Sequence, residues 1–175
     1  MRDPASSTAA LGWSLRLCVA VAALTLGACG FHLRGSSSLP AEMSVTYIRG
    51  ISAYGPLNDD FREALESHGA RVTPDRAEAT AVLDILKNHT GTDVLSVNLA
   101  GKVLEYRIYQ NIQFEVITAA GKKLVDTQSV SLSRAIKFNV NDVLGVERQG
   151  DMMRRELQRD IVNLAMLRIS AAGRH

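Results

Sequence analysis

Residues 104–118 alternate with a period of two. Leu104, Tyr106, Ile108, Ile112, Phe114 and Val116 share one parity, and Glu105, Arg107, Asn111, Gln113 and Glu115 share the other. A strand sends successive side chains to opposite faces, so this pattern describes a sheet with one buried and one wetter face. Ala119, Ala120, Gly121 and Lys122 then supply a short glycine-containing hairpin loop. Residues 124–138 return as the partner strand, with Val130, Leu132, Ile136 and Phe138 on one side and Ser129, Ser131, Ser133 and Lys137 opposite. Both strands far exceed the usual length of about 5–6 residues. One end of the hairpin is therefore expected to project or to be bulged.

The rest of the chain supplies elements to cover one face of that hairpin. Residues 43–49 read as a strand in which Met43, Val45 and Tyr47 alternate, and 50–55 as a turn region. Residues 56–68 read as an amphipathic helix. Pro56 suits its start, and Leu57, Phe61, Ala64, Leu65 and His68 form one stripe. Asp59, Asp60 and Glu63 sit in the early turns, where the dipole favours negative charge, and Gly69 is the expected stop. His68 reads as a helix-end residue near the last carbonyls rather than a ligand. After a connector at 74–80, residues 81–90 carry apolar side chains on both parities (Val82, Leu83, Ile85, Leu86), which suits an interior strand. Strand, helix, strand over this length suggests a parallel crossover.

Residues 92–101 either extend the sheet or form a loop ending in Ala100, Gly101 and Lys102. Residues 139–150 read as a loop. A final helix is predicted from a capping Asp151 to about Ala171, with Met153, Leu157, Ile161, Leu164 and Arg168 on a stripe widened by Ala165 and Ile169. Asp151 and Arg155 form a favourable i,i+4 pair. The predicted fold is a two-layer α+β domain in the order β-α-β-β-β-α, with two helices on one face of a mixed sheet of about four strands.

The N-terminal segment reads as an address. Arg2 and Arg16 precede an uncharged stretch, and Gly27 and Ala28 supply the small residues needed near a cleavage point. A permanent membrane helix is the alternative reading. The uncharged run 17–33 is marginal for it, because a spanning helix needs about 20 mostly apolar residues. Leu26-Gly27-Ala28-Cys29 is similar to the lipobox of bacterial lipoproteins, which implies cleavage after residue 28, a diacylglyceryl thioether on Cys29 and an acylated amino group. More than one acyl chain holds stably where a single chain binds reversibly. Gly30, rather than Asp, follows the cysteine, which in the lipoprotein pattern favours the outer membrane. Residues 1–28 are thus an expected signal peptide, 29–40 an acylated N-terminus and flexible tether, and 41–175 a single domain.

Charge and composition narrow the function. Arg2, Arg16 and Asp3 leave with the signal, so the remainder carries 18 Lys and Arg against 17 Asp and Glu, a net charge of +1. That balance argues against a nucleic-acid partner. Cys18 also leaves and Cys29 is acylated, so no thiol remains for a disulfide or a metal. The four histidines (His32, His68, His89, His175) show no ligand spacing, and no hydrolase, zinc-protease or phosphate-loop motif is present. Neither an enzyme nor a cofactor or metal is expected beyond the acyl chains on Cys29.

Binding remains. Lys87, Lys102, Lys122, Lys123 and Arg148 lie near loops, where each could pair with phosphate or carboxylate groups of an anionic lipid. The ordinary reading of each, taken alone, is a solvated surface charge. Lys102 stands out because it follows a glycine among Val97, Leu99 and Val103. A cation beside apolar surface suits an amphiphile with acyl chains and phosphates.

The segment Cys29-Gly30-Phe31-His32-Leu33-Arg34-Gly35 resembles the start of mature members of the LptE family of lipopolysaccharide-assembly lipoproteins. Gly101-Lys102-Val103-Leu104-Glu105-Tyr106 resembles that family's Gly-basic-x-x-Glu-Tyr segment, and 151–167 its terminal helix. The resemblance implies an outer-membrane lipoprotein inside the lumen of the LptD β-barrel. There it would plug and help assemble the barrel, and bind lipopolysaccharide for insertion into the outer leaflet. By motif, only Lys102 carries over as a lipopolysaccharide contact. Where the family often has a basic residue near 144–147, Val146 and Glu147 stand here with Arg148 just after. A periplasm-facing scaffold for another envelope or secretion assembly, without a lipid ligand, is the competing reading.

Overall fold

A computed structural model of the chain describes residues 39–138 and 143–173. The expected signal peptide, Cys29, most of the tether and residues 139–142 of the expected loop lie outside the described residues. Five strands, β1 (Val45–Arg49), β2 (Arg71–Val72), β3 (Ala81–Val97), β4 (Val103–Thr118) and β5 (Lys123–Lys137), form one mixed sheet in the order β2-β1-β3-β4-β5. Two helices, α1 (Pro56–Ser67) and α2 (Val143–Ala172), pack on one of its faces. β1 is parallel to β2 and β3, while β3, β4 and β5 are antiparallel. The β1-α1-β3 crossover is therefore parallel, as expected. The fifth strand, β2, pairs through only two positions of β1, too short a segment to show any period.

Local chemistry explains α1. Pro56 is its first residue, where a missing N–H costs nothing. At the other end the Ala70 N–H donates to the Leu65 carbonyl (3.1 Å) and the Gly69 N–H to that of Glu66 (2.9 Å). This is a Schellman closure, with Leu65 and Ala70 both buried. His68 Nδ1 lies 2.8 Å from the Ala64 carbonyl oxygen, so His68 is the helix-end residue anticipated.

Three details differ from the sequence reading. Met43 lies in a 3₁₀ turn (Ala41–Ser44), not in β1, and the turn shifts the phase. Thr46 and Ile48, rather than Val45 and Tyr47, face the core. In β3 the register slips at Leu86, between Ile85 opposite Phe114 and Lys87 opposite Gln113. This bulge adds one residue and exchanges the two parities, so Leu83 and Ile85 are core while Leu86 is exposed. Finally, α2 begins at Val143 rather than Asp151. Residues 139–150 read as a loop, but the helix runs through Gly145 and Gly150, and Gly150 is buried facing Ile108 and Ile136 at ordinary contact distance. Asp151 is therefore no cap. It pairs with Arg154 at 2.7 Å, one residue short of the expected Arg155.

The core is continuous where α1, α2 and the sheet overlap. Phe61 and Leu65 from α1, Ile161, Ala165 and Ile169 from α2, and Ile112, Phe114 and Val116 from β4 are all buried there. A smaller cluster of Ile108, Ile136 and Leu157 continues toward the start of α2. Each fully buried large aliphatic or aromatic side chain contributes about 1.5–3 kcal/mol by leaving water. Beyond that second cluster the three strands β3, β4 and β5 continue side by side, with β5 paired to β4 as far as Lys137 opposite Glu105 and the Phe138 N–H donating to the Leu104 carbonyl (2.7 Å). Residues 92–97 thus extend the sheet, and the irregularity expected of the β4–β5 hairpin is a bulge between Phe114 and Ile117.

Candidate functional site

Lys102 closes the turn between β3 and β4. The loop between β3 and β4 starts at Asn98, whose N–H donates to the Lys102 carbonyl (2.8 Å) and whose carbonyl accepts from the Gly101 N–H (2.9 Å). Asn98 Oδ1 also accepts from the N–H groups of Ala100 (3.0 Å) and Lys102 (2.9 Å). Gly101 has φ of +74°, a left-handed conformation that costs glycine little. The loop is thus held by its own side chain and backbone, and the Lys102 side chain is exposed.

Exposed apolar side chains flank this turn on the adjoining residues of β3 and β4. Leu99 is fully exposed, and Val94, Leu95, Val97 and Leu104 each keep about half of their surface in water. Val97 and Leu99 were anticipated beside Lys102. Leu104 was expected on the buried face; it is about half exposed, while Ile108 further along β4 is buried against the start of α2. Val94 and Leu95 were missed because register shifts between Val94 and Val97 erase the period there. Contiguous exposed apolar surface of this kind marks an interaction site. Among the described residues Lys102 makes no ion pair.

The other candidates do not converge on this tip. Lys122 ends the β4–β5 loop at the opposite end of β4, which has 16 residues; at about 3.4 Å per residue the two tips are roughly 50 Å apart. Lys123 is engaged, with its Nζ 2.9 Å from Glu115 Oε2. It belongs to a row of charges across the outer face of the sheet: Arg49 pairs with Asp84, Asp84 lies opposite Glu115, and Glu115 pairs with Lys123. Hydrogen bonds from Lys123 and then Thr127 hold the Glu115 carboxyl below its ordinary range, and Glu115 in turn raises Lys123. Arg49, which donates a hydrogen bond to the Asp84 carboxylate, is likewise raised by it. Arg148 is exposed on α2. It lies between Val146 and Gly150, which line a cleft with Tyr106, Ile108 and Ile136, and so shares the Lys102 half of the molecule. Lys87 is exposed on β3, just past the Leu86 bulge.

Among the described residues no group of His, Cys, Asp and Glu could hold a metal ion, and no helix is long and apolar enough to cross a membrane. The chemistry on offer is recognition by charge and apolar contact.

Comparison with known proteins agrees with this picture. The chain is 27% identical over 144 residues to the LPS-assembly lipoprotein LptE of Photorhabdus laumondii, covering 82% of this chain and 78% of that protein. It is 26% identical over 146 residues to the LPS-assembly lipoprotein LptE of Yersinia enterocolitica, covering 82% and 69%. Among solved structures, an uncharacterized lipoprotein B from Nitrosomonas europaea superposes with a TM-score of 0.69 at 24% identity, covering 81% of this chain and 91% of that one. The rare lipoprotein B from Shewanella oneidensis gives a TM-score of 0.62 at 16% identity, covering 74% and 96%; these two likenesses establish the fold. The LptE family profile, described as lipopolysaccharide-assembly, matches residues 43–169. A profile match over most of the folded domain settles the family: this chain belongs to the LptE lipopolysaccharide-assembly family.

Proposed function

We propose that this chain is an outer-membrane lipoprotein subunit of the lipopolysaccharide translocon. The family role in lipopolysaccharide assembly is a non-enzymatic one. In this reading residues 1–28 are removed, acyl chains on Cys29 anchor the protein, and the domain sits in the lumen of an LptD-type β-barrel. It plugs that barrel and assists its assembly. The β3–β4 end of the sheet receives lipopolysaccharide on its way to the outer leaflet, with the Lys102 ammonium pairing with a lipid A phosphate and the exposed leucines and valines contacting acyl chains.

One observation carries the reading: an exposed cation at the turn between β3 and β4, with the exposed Val94, Leu95, Val97, Leu99 and Leu104 on the adjoining chain. A soluble surface has no use for such a cluster, whereas an amphiphile with phosphates and acyl chains matches both of its components. Purification from detergent-solubilised outer membranes should recover a stoichiometric barrel partner, and its absence would overturn the proposal. Lys102→Glu should weaken lipopolysaccharide binding while leaving the barrel complex intact. Unchanged lipid binding would instead favour a scaffold without a lipid ligand.

A further inference from the structure

The outer face of the sheet, opposite the helices, carries a second feature. Gly91 on β3, Tyr109 on β4 and Ser133 on β5 are cross-strand neighbours in one row. A side chain at position 91 would collide with the hydroxyl and ring of Tyr109, so the phenol lies down over the glycine instead of standing off the sheet. On the other side, Ser129, Ser131 and Ser133 on β5 are all small and exposed. The result is a flat aromatic floor.

Polar groups rim that floor. Arg107 pairs with Asp93 at 2.7 Å, and its guanidinium lies 6.0 Å from the Tyr109 ring centroid. Asn111 accepts from Ser131 on the far side, and His89 Nε2 lies 3.2 Å from the Tyr109 hydroxyl. A shallow cavity of about 280 Å³ opens above these groups. The exposed Asp93–Arg107 pair adds little to stability.

We propose that this face is a platform for a pyranose sugar, namely the saccharide portion of lipopolysaccharide; only the source of the sugar rests on the function proposed above. A pyranose presents an apolar face of polarised C–H bonds, which suits the electron-rich face of an aromatic ring. Its hydroxyls donate and accept, and the rim offers both in planar, fork-like groups: a guanidinium, a carboxylate and an amide, with serine hydroxyls between. Asp93 beside Arg107 leaves the rim without net charge, so it does not favour phosphates as the Lys102 tip does.

Titration of the intact protein with delipidated core oligosaccharide, followed by NMR or calorimetry, tests this, with lipid A titrated separately. Saturable oligosaccharide binding is expected. Tyr109→Ala should weaken it about tenfold, while Tyr109→Phe keeps the ring and most of the affinity. Gly91→Ala should lift the ring and weaken binding in a background that keeps the whole core, which guards against a Tyr109→Ala variant that fails to fold. Lys102→Glu should leave sugar binding unchanged. No saturable binding, equal binding by Tyr109→Ala, or loss confined to Lys102→Glu would each overturn the platform. Sugar binding without lipid A binding would leave the platform standing and remove the Lys102 contact.

Discussion

The loops at the two ends of β4 have nearly the same backbone and different surroundings. Each begins with a residue whose N–H donates to the carbonyl of a lysine four positions on, at 2.8 Å for both Asn98–Lys102 and Thr118–Lys122. In each, the side-chain oxygen of the first residue accepts from the lysine N–H, at 2.9 Å from Asn98 and 3.0 Å from Thr118. A left-handed glycine precedes the lysine in both, Gly101 at +74° and Gly121 at +85°. Around them the resemblance stops. Lys102 stands among uncovered leucines and valines. Lys122 is followed by Lys123, which Glu115 and the outer-face charge row hold in place. A glycine–lysine loop is thus a way of turning a strand. What it recognises depends on the side chains that the adjoining strands leave uncovered.

The contrast can be broken most directly at the two lysines. Lys102→Glu is expected to weaken lipopolysaccharide binding by about tenfold or more, the loss of one charge-assisted contact of about 1.4 kcal/mol. Lys122→Glu should leave that binding unchanged. Equal losses in a lipopolysaccharide titration would mean that bulk charge, not the apolar setting, governs recognition.

A smaller effect probes the shared backbone. No atom lies within 4 Å of where a Cβ would stand at Gly101 or Gly121, so the cost of alanine is conformational in both. Gly101→Ala and Gly121→Ala should each destabilise the domain by about 1 kcal/mol in urea unfolding. A clear inequality would show that one loop is strained by its surroundings.

The smallest effect concerns pH. Glu115 has a lowered folded-state pKa, so its pairing stabilises the domain above the ordinary carboxylate value of 4.5 and is lost as pH falls through the lowered value. Lys123 has a raised pKa, so its contribution is present below 10.5 and is lost as pH rises through the raised value. The difference in thermal midpoint between the unaltered protein and Lys123→Ala should therefore be present at neutral pH. It should close at both extremes.

Much of the scaffold was legible because it rests on local chemistry. The period of two in 104–118, the stripe Leu57-Phe61-Leu65 with its proline start, and Gly69 at the helix end all became the elements they indicated. Lys102 was legible as a candidate because glycine, cation and apolar neighbours are adjacent in sequence. The errors fell where phase or packing is set from elsewhere. Leu86 is apolar and sits in a strand, yet a bulge turns it out. Gly150 falls in a segment that reads as a loop, yet it is a buried residue of α2, which packs on the sheet there. The Tyr109 floor was invisible because Gly91, Tyr109 and Ser133 are far apart in the chain and meet only through strand register.

The sequence by itself determined the strand and helix periods, the turns, the α+β class and the lysine most exposed to apolar company, since all of these depend on residues within a few positions of one another. Only the tertiary structure decided how far α2 reaches along β4, and therefore which apolar side chains stay uncovered. It also decided that Lys102 and Lys122 lie at opposite ends of one strand and that an aromatic ring lies over a glycine on the outer face. Coverage and cross-strand neighbours depend on the register between distant segments, which no local pattern encodes.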